Sequence, residues 1–263
     1  MYKEAKVLQP PSGWDPKVQY IDKLVWSPNV PETIRLCFDP PAAKKGSPAA
    51  AATLALQTER FLSDNVNVFG NAFPSVKEQR RNIKIKRIVD PSHPCCGAYG
   101  LYAAQTLQPK QLVLDYLGFV EYKGYDPESD YVLSFGDNDL SIDANKAGNE
   151  ARFCNDFRGI GPGPNVCFLN YLDESTRRIR IGIFVQNNVK IKKGEELLVT
   201  YGKSFWSKRG IDMSNNHHSN HSQSQQEQQQ PKQQKQKQKQ KEQQQKPSPQ
   251  GQNQNKRKGK KHS

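Results

Sequence analysis

Apolar and polar positions alternate along this chain in short bursts, and few windows hold a helical period. Over residues 82–89 the apolar positions Ile83, Ile85, Ile88 and Val89 interleave with basic residues, as in an edge strand. Similar alternation, or a short apolar run bounded by turn residues, recurs at 111–117, 119–120, 129–135, 140–144, 166–172, 179–185 and 197–201. Residues 190–196 read as the turn before the last of these runs. Upstream, residues 20–26 and 33–38 read as two further short strands after a Pro10-Pro11-Ser12-Gly13 turn. A Pro- and Lys-containing linker over 40–48 leads into residues 49–62, which are rich in helix formers and predict a helix with a packing alanine face. Many short strands separated by Gly and Pro turns predict a mainly-β (α+β) domain.

One stretch, 143–168, fits neither period. Ala151-Arg152-Phe153-Cys154 runs into Asn155-Asp156, a Gly/Pro loop over 157–163, then Pro164-Asn165 and an apolar run over 166–169. A polar Asn-Asp pair beside a buried run is costly unless turn chemistry or a ligand supplies its partners. Farther upstream, Gly97-Ala98-Tyr99-Gly100 opens a strand. Glycine there serves either a tight turn or the close approach of a ligand to the backbone.

Read in order, Gly100-Leu101-Tyr102-Ala103, Tyr116-Leu117-Gly118-Phe119-Val120, Asp143-Ala144, Gly148-Asn149, Ala151-Arg152-Phe153-x-Asn155, Pro164-Asn165 and Glu196-Leu197-x-Val199-x-Tyr201-Gly202 resemble the SET domain of protein-lysine methyltransferases. The resemblance covers residues 83–206, about half the chain. It implies small twisted sheets in which the segment ending at Tyr201 threads beneath the one carrying Asn155. That pseudo-knot departs from the usual topology rules, and no periodicity predicts it. It also implies S-adenosylmethionine as cofactor, with Tyr99, Gly100 and Leu101 at its methionine end and Tyr131 lining its pocket. Asn155 holds its amino-acid moiety with the backbone of Asp156, and Arg152 either contacts it or pairs structurally. Tyr201 becomes the principal catalytic residue and Tyr116 the second phenol on the amine. Phe168 and Val199 tune how many methyl groups fit and suggest room for more than one. Phe205 and Trp206 close the lysine channel, cover the adenine or pack on the sheet.

The chemistry suits those residue types. Methyl transfer from a sulfonium to an amine is an in-line displacement in which the cofactor carries the reactive group. The protein must align the partners, exclude water and orient the amine lone pair. A lysine amine, with a reference pKa of ~10.4, must lose its proton, which an apolar channel beside a positive sulfonium favours. Phenols accept or donate and wall a narrow channel.

Three departures from the family pattern stand out. Asp156 replaces the usual His, a tolerable exchange if only its backbone is used, and it adds negative charge near the sulfonium. The Phe157-Arg158-Gly159-Ile160-Gly161-Pro162-Gly163 loop is longer than the family's link. The cysteine-rich zinc segments that flank many histone-directed members are missing. Cys95 and Cys96 are adjacent, and their spacing to Cys154 and Cys167 fits no structural zinc pattern, so no metal is expected.

Composition sharpens the domain limits. Hydrophobic content is 34% and mean hydropathy −0.88, low for one packed unit. Residues 207–263 hold 13 Lys/Arg against 3 Asp/Glu, which leaves a net of only +3 on residues 1–206 out of the chain's +13. The Gln/Lys tract over 223–245 lacks the apolar content to offset chain entropy and is expected to be disordered. His217, His218 and His221 read as polar linker rather than metal ligands. Lys256-Arg257-Lys258-Gly259-Lys260-Lys261 reads as a nuclear-localisation cluster or a contact to nucleic-acid phosphates. The expected division is an N-terminal segment over 1–80, a SET domain over 81–206 and a basic tail over 207–263.

The opening residues show no signal peptide, and the longest apolar stretch, 49–56, is far short of the ~20 residues that span a bilayer. An odd count of five cysteines fits free thiols. A soluble protein of the nucleus, or of nucleus and cytoplasm, with no membrane partner is expected. The resulting expectation is a SAM-dependent protein-lysine N-methyltransferase acting on a lysine-bearing protein, a histone or another basic one. The alternative is a catalytically inactive SET-like module that binds chromatin or nucleic acid.

Overall fold

The alternating runs become strands. A computed structural model describes residues 8–43, 46–61, 67–69, 73–136 and 139–207. In chain order come β1 (Gln19–Tyr20), β2 (Val25–Trp26), α1 (Glu32–Phe38), α2 (Pro48–Phe61), β3 (Asn67–Phe69), α3 (Val76–Gln79), β4 (Ile83–Arg87), β5 (Tyr99–Ala103) and β6 (Leu112–Asp115). Then follow β7 (Phe119–Tyr122), β8 (Val132–Ser134), β9 (Leu140–Asp143), β10 (Ala147–Gly148), β11 (Asn155–Asp156), β12 (Val166–Asp173), β13 (Arg178–Val185), β14 (Leu198–Val199) and α4 (Lys203–Ser207).

Two four-stranded sheets, β3-β12-β13-β6 and β2-β7-β9-β8, enclose the core, and three two-stranded pairs, β4-β5, β1-β10 and β11-β14, complete the architecture. The β12–β13 hairpin pairs Val166 with Val185 and keeps register to Asp173 opposite Arg178. Val113, Leu114, Val120, Ile142, Val166, Ile183, Leu197 and Val199 are fully buried where these sheets meet. The fold is mainly β, as the alternation predicts.

Two readings of the N-terminal part change. Residues 33–38 are helix rather than strand. Ile34, Leu36 and Phe38 alternate on paper, but the buried set is Ile34, Cys37 and Phe38, the i, i+3, i+4 stripe of a helix. Phe38 then packs on Phe135, ring centroids 4.7 Å apart. Residues 20–26 are two separate two-residue strands, β1 parallel to β10 and β2 parallel to β7. The predicted helix runs Pro48–Phe61, and Leu62 lies outside the described residues. Gln57 anchors it by donating from Nε2 to the carbonyls of Cys37 and Arg177.

The C-terminal strand fixes the site. β14 runs parallel to β11, and Phe157 N donates to the Val199 carbonyl. On the opposite flank Asn165 N donates to the Leu198 carbonyl, while its side chain accepts from Leu198 N and donates to the Glu196 carbonyl. Segment 196–199 therefore passes through the loop between residues 155 and 165, the pseudo-knot the resemblance implies. No helix among the described residues is long and apolar enough to cross a membrane. The tail histidines, the Gln/Lys tract and the 256–261 cluster lie outside the described residues.

Candidate active site

Two phenols converge at the end of the pseudo-knot. Tyr116 leaves β6 almost wholly buried, donates its hydroxyl to the Tyr131 carbonyl at 2.7 Å and meets the Phe168 ring edge-on. Tyr201 follows β14, donates its hydroxyl to the Cys154 carbonyl at 3.0 Å and sets its ring against Phe205. Burial pushes both phenols far above their ordinary value, and the neighbouring acidic groups of Cys154, Cys95, Asp156 and Tyr116, in that order, add to the rise at Tyr201. The two rings share one apolar cluster with Cys154, Phe168 and Val199. With both hydroxyl protons spent on carbonyls, each phenol oxygen keeps its lone pairs for an N–H donor.

Asn155 is held by its amide nitrogen. Nδ2 donates to Tyr99 O at 3.3 Å and to Glu196 Oε1 at 2.9 Å, and Oδ1 accepts nothing from the described residues. Glu196 also accepts from the Tyr102 hydroxyl at 3.2 Å and lies 3.1 Å from His93 Nε2. The Tyr102 phenol is pushed up to about 12, first by burial and then by Glu196. Gly100 makes this packing possible, because a Cβ there would sit 2.5 Å from Glu196 Oε1. The group that approaches this glycine is therefore a carboxylate of the chain itself. Leu101 is wholly buried and its carbonyl accepts from Leu197 N, so it belongs to the core behind the site.

The Asp156 side chain is engaged as well as its backbone. Its carboxylate accepts from Tyr201 N at 2.7 Å and from Trp206 Nε1 at 3.4 Å. Arg158 Nη1 lies 2.9 and 2.7 Å from its two oxygens. The extra charge is therefore matched by a guanidinium two residues along, in the lengthened loop. Through the same carboxylate, helix α4 is tied to the backbone of Tyr201.

These features lie in a segment that matches a known family. The SET domain family matches residues 98–202. Residues 98–202 are a SET domain. A curated relative, the "Histone-lysine N-methyltransferase, H3 lysine-36 specific" of Emericella nidulans, is 34% identical over 116 residues, which is 39% of this chain and 11% of that protein. The match thus spans about a ninth of the relative's length. Among solved structures, KRYPTONITE in complex with mCHH DNA, an H3(1-15) peptide and SAH superposes with a TM-score of 0.45 at 18% identity, covering 79% of this chain and 44% of that one. ctPRC2, in an autoinhibited conformation bound to S-adenosylmethionine, gives a TM-score of 0.37 at 21% identity over 49% of this chain and 16% of that one.

Arg152 of the SET domain stacks its guanidinium 4.1 Å from the Tyr131 ring centroid and donates from Nε to the Ala144 carbonyl. Trp14, outside the matched segment, packs edge-on against Phe153, and a Cβ on Gly13 would meet the Tyr99 ring. Asn149 is fully buried and bridges the backbone on either side of Tyr116, accepting from Leu117 N and donating to the Asp115 carbonyl. Sequence reasoning assigned no role to Glu196, His93, Asn149, Arg158 or Trp14. Only Arg158 left a local sign, an opposite charge two positions from Asp156.

Proposed function

We propose that this chain is an S-adenosylmethionine-dependent protein-lysine N-methyltransferase. The observation that carries the reading is the pair of neutral phenols, Tyr116 buried and Tyr201 half-buried, each with its proton committed to a backbone carbonyl. Their oxygens are fit to accept the N–H bonds of an incoming amine and so aim its lone pair. The three carboxylates beside the site among the described residues are all engaged rather than poised as bases. Asp156 is paired with Arg158, Asp143 accepts from Ser129 and the Asn145 amide, and Glu196 is bonded on both oxygens.

The residues present also fit the cofactor. Asn155 Oδ1 is left as an acceptor for its amino group, and the terminal nitrogens of Arg152, stacked on the Tyr131 ring, make no hydrogen bond to the described residues. When bound, S-adenosylmethionine supplies an electrophilic methyl on a sulfonium. Tyr99 lines its amino-acid end, Tyr131 its pocket, and Trp206 its outer face, while Gly100 stands behind them against Glu196. Around the amine, Phe168, Val199 and Phe205 exclude water, which favours the neutral amine. Proton release to solvent precedes transfer, and the phenols hold the amine in line. Phe168 and Val199 leave room for more than one methyl.

Histone H3 or another basic nuclear protein is the proposed substrate class, in keeping with the name of the Emericella relative. The 256–261 cluster is the proposed nuclear address. A ligand that binds only the folded state raises the melting temperature. The full chain should therefore melt higher with S-adenosylmethionine, and no shift at millimolar cofactor overturns the reading. Tyr201→Phe should keep that shift yet lose about 10²-fold or more in turnover on histone substrates. Unchanged turnover removes Tyr201 from catalysis.

A further inference from the structure

The positive charge of residues 1–206 is gathered on one short run. That part holds 26 Lys/Arg against 23 Asp/Glu, and residues 77–87 alone hold 6 against 1. Everything else in it is therefore slightly negative, 20 against 22. The run covers α3, one turn of 3-10 helix over Arg80–Asn82, and β4. Lys77, Arg81, Lys84, Lys86 and Arg87 are exposed, and none forms an ion pair among the described residues. Arg80 is the exception, engaged by Glu150.

Local geometry keeps this ridge open. Ile83 and Ile85 turn inward, Lys84 and Lys86 are exposed on the other face with Lys86 Nζ 4.6 Å from the Tyr102 ring centroid, and among the described residues β5 is the only strand beside β4. The acids at either end are turned back on their own neighbours. Glu78 accepts from the Ser75 amide and hydroxyl, and Asp90 from the Ser92 amide and hydroxyl. Lysine on an exposed edge can simply discourage pairing with another chain. One or two charges suffice for that. Five cations on an otherwise slightly negative body make a single-sign field of the kind that gathers a polyanion.

We propose that this ridge binds the phosphate backbone of a nucleic-acid duplex. The five residues of β4 extend about 17 Å, along which a duplex presents roughly ten phosphate charges. An acidic peptide added to the β4 edge would leave Lys77 and Arg81 unused, since they sit on the preceding helical turns. The run itself carries no aromatic side chain on which single-stranded bases would stack, and the one ring beside it, Tyr102 on β5, is occupied by the Lys86 ammonium over its face and by a hydroxyl bond to Glu196. The contact is therefore made to the backbone and is indifferent to sequence. It is separate from the methyltransferase reading.

The test is fluorescence anisotropy of the full chain with a labelled duplex of about 30 base pairs over a range of salt. Neutralising Lys84, Lys86 and Arg87 to Gln should weaken binding at low salt by about tenfold or more. It should also flatten the log–log salt slope by about 2.7, at roughly 0.9 per lost phosphate contact. Single Lys84→Gln or Lys86→Gln variants should each flatten it by about 0.9, which guards against misfolding of the triple variant. A chain with its 256–261 cluster neutralised should still bind duplex through the ridge. An unchanged slope in the Gln variants overturns the proposal, as does complete loss of binding on neutralising the tail. A poly-glutamate peptide that displaces the duplex at lower charge concentration overturns it in favour of an acidic protein partner.

Discussion

Asp156 stands where a histidine is usual, and its carboxylate accepts from the Tyr201 amide, the Arg158 guanidinium and amide, and the Trp206 indole. A neutral imidazole cannot hold an arginine in this way, so the residue and the loop that brings Arg158 act as one substitution. Truncating it leaves a backbone N–H without a partner and the partly buried Arg158 guanidinium with only a 3.3 Å bond to the Thr200 hydroxyl, each costly. Asp156→Ala should cost roughly 1–3 kcal/mol in denaturant unfolding and lower turnover by displacing Tyr201. Asp156→Asn keeps an acceptor for the Tyr201 amide and should lose less of both. An unfolding midpoint unchanged in the Ala variant rules out the anchoring role. The Asn155–Asp156 pair was legible as polar groups in need of partners. The partners were not, because Glu196 and Tyr201 lie 41 and 45 residues away.

Among the elements, β7 and β9 meet closely where Gly118 precedes β7. Phe119 pairs with Asp143 there, and a Cβ on Gly118 would sit 2.4 Å from the Asp143 carbonyl oxygen. The obstacle is backbone, which cannot swing aside as a side chain can. Gly118→Ala should therefore destabilise by about 1–3 kcal/mol, read as a lowered melting temperature. A neutral substitution there means that the two strands separate more easily than their register implies. Strands with alternating burial, such as β4, were legible because a two-residue period survives in any context. Helix α1 was not, because over seven residues the spacings of strand and helix overlap, and the choice fell to the aromatic contact between Phe38 and Phe135.

At the scale of the molecule, the chain ahead of the SET domain is built into it. β1 and β2 supply parallel partners to β10 and β7, and Trp14 rests on Phe153 beside Arg152. A chain beginning at residue 31 would leave those strand edges unpaired and the Trp14 and Trp26 contacts unmade. It should lose its cooperative thermal transition, followed by near-ultraviolet circular dichroism. An intact transition means instead that these strands are accessory. No local pattern announced the pairing, because a two-residue strand leaves no period and a parallel partner can lie anywhere along the chain.

The sequence by itself determined the mainly-β class, the order of the site motifs and the uneven charge, since each is a property of neighbours or of composition. Only the tertiary structure decided that segment 196–199 threads the 155–165 loop, that Glu196 holds Asn155 and that Asp156 holds Tyr201. Those outcomes depend on which distant surfaces are buried together. Burial, rather than spacing, selects the partner for each polar group that leaves water.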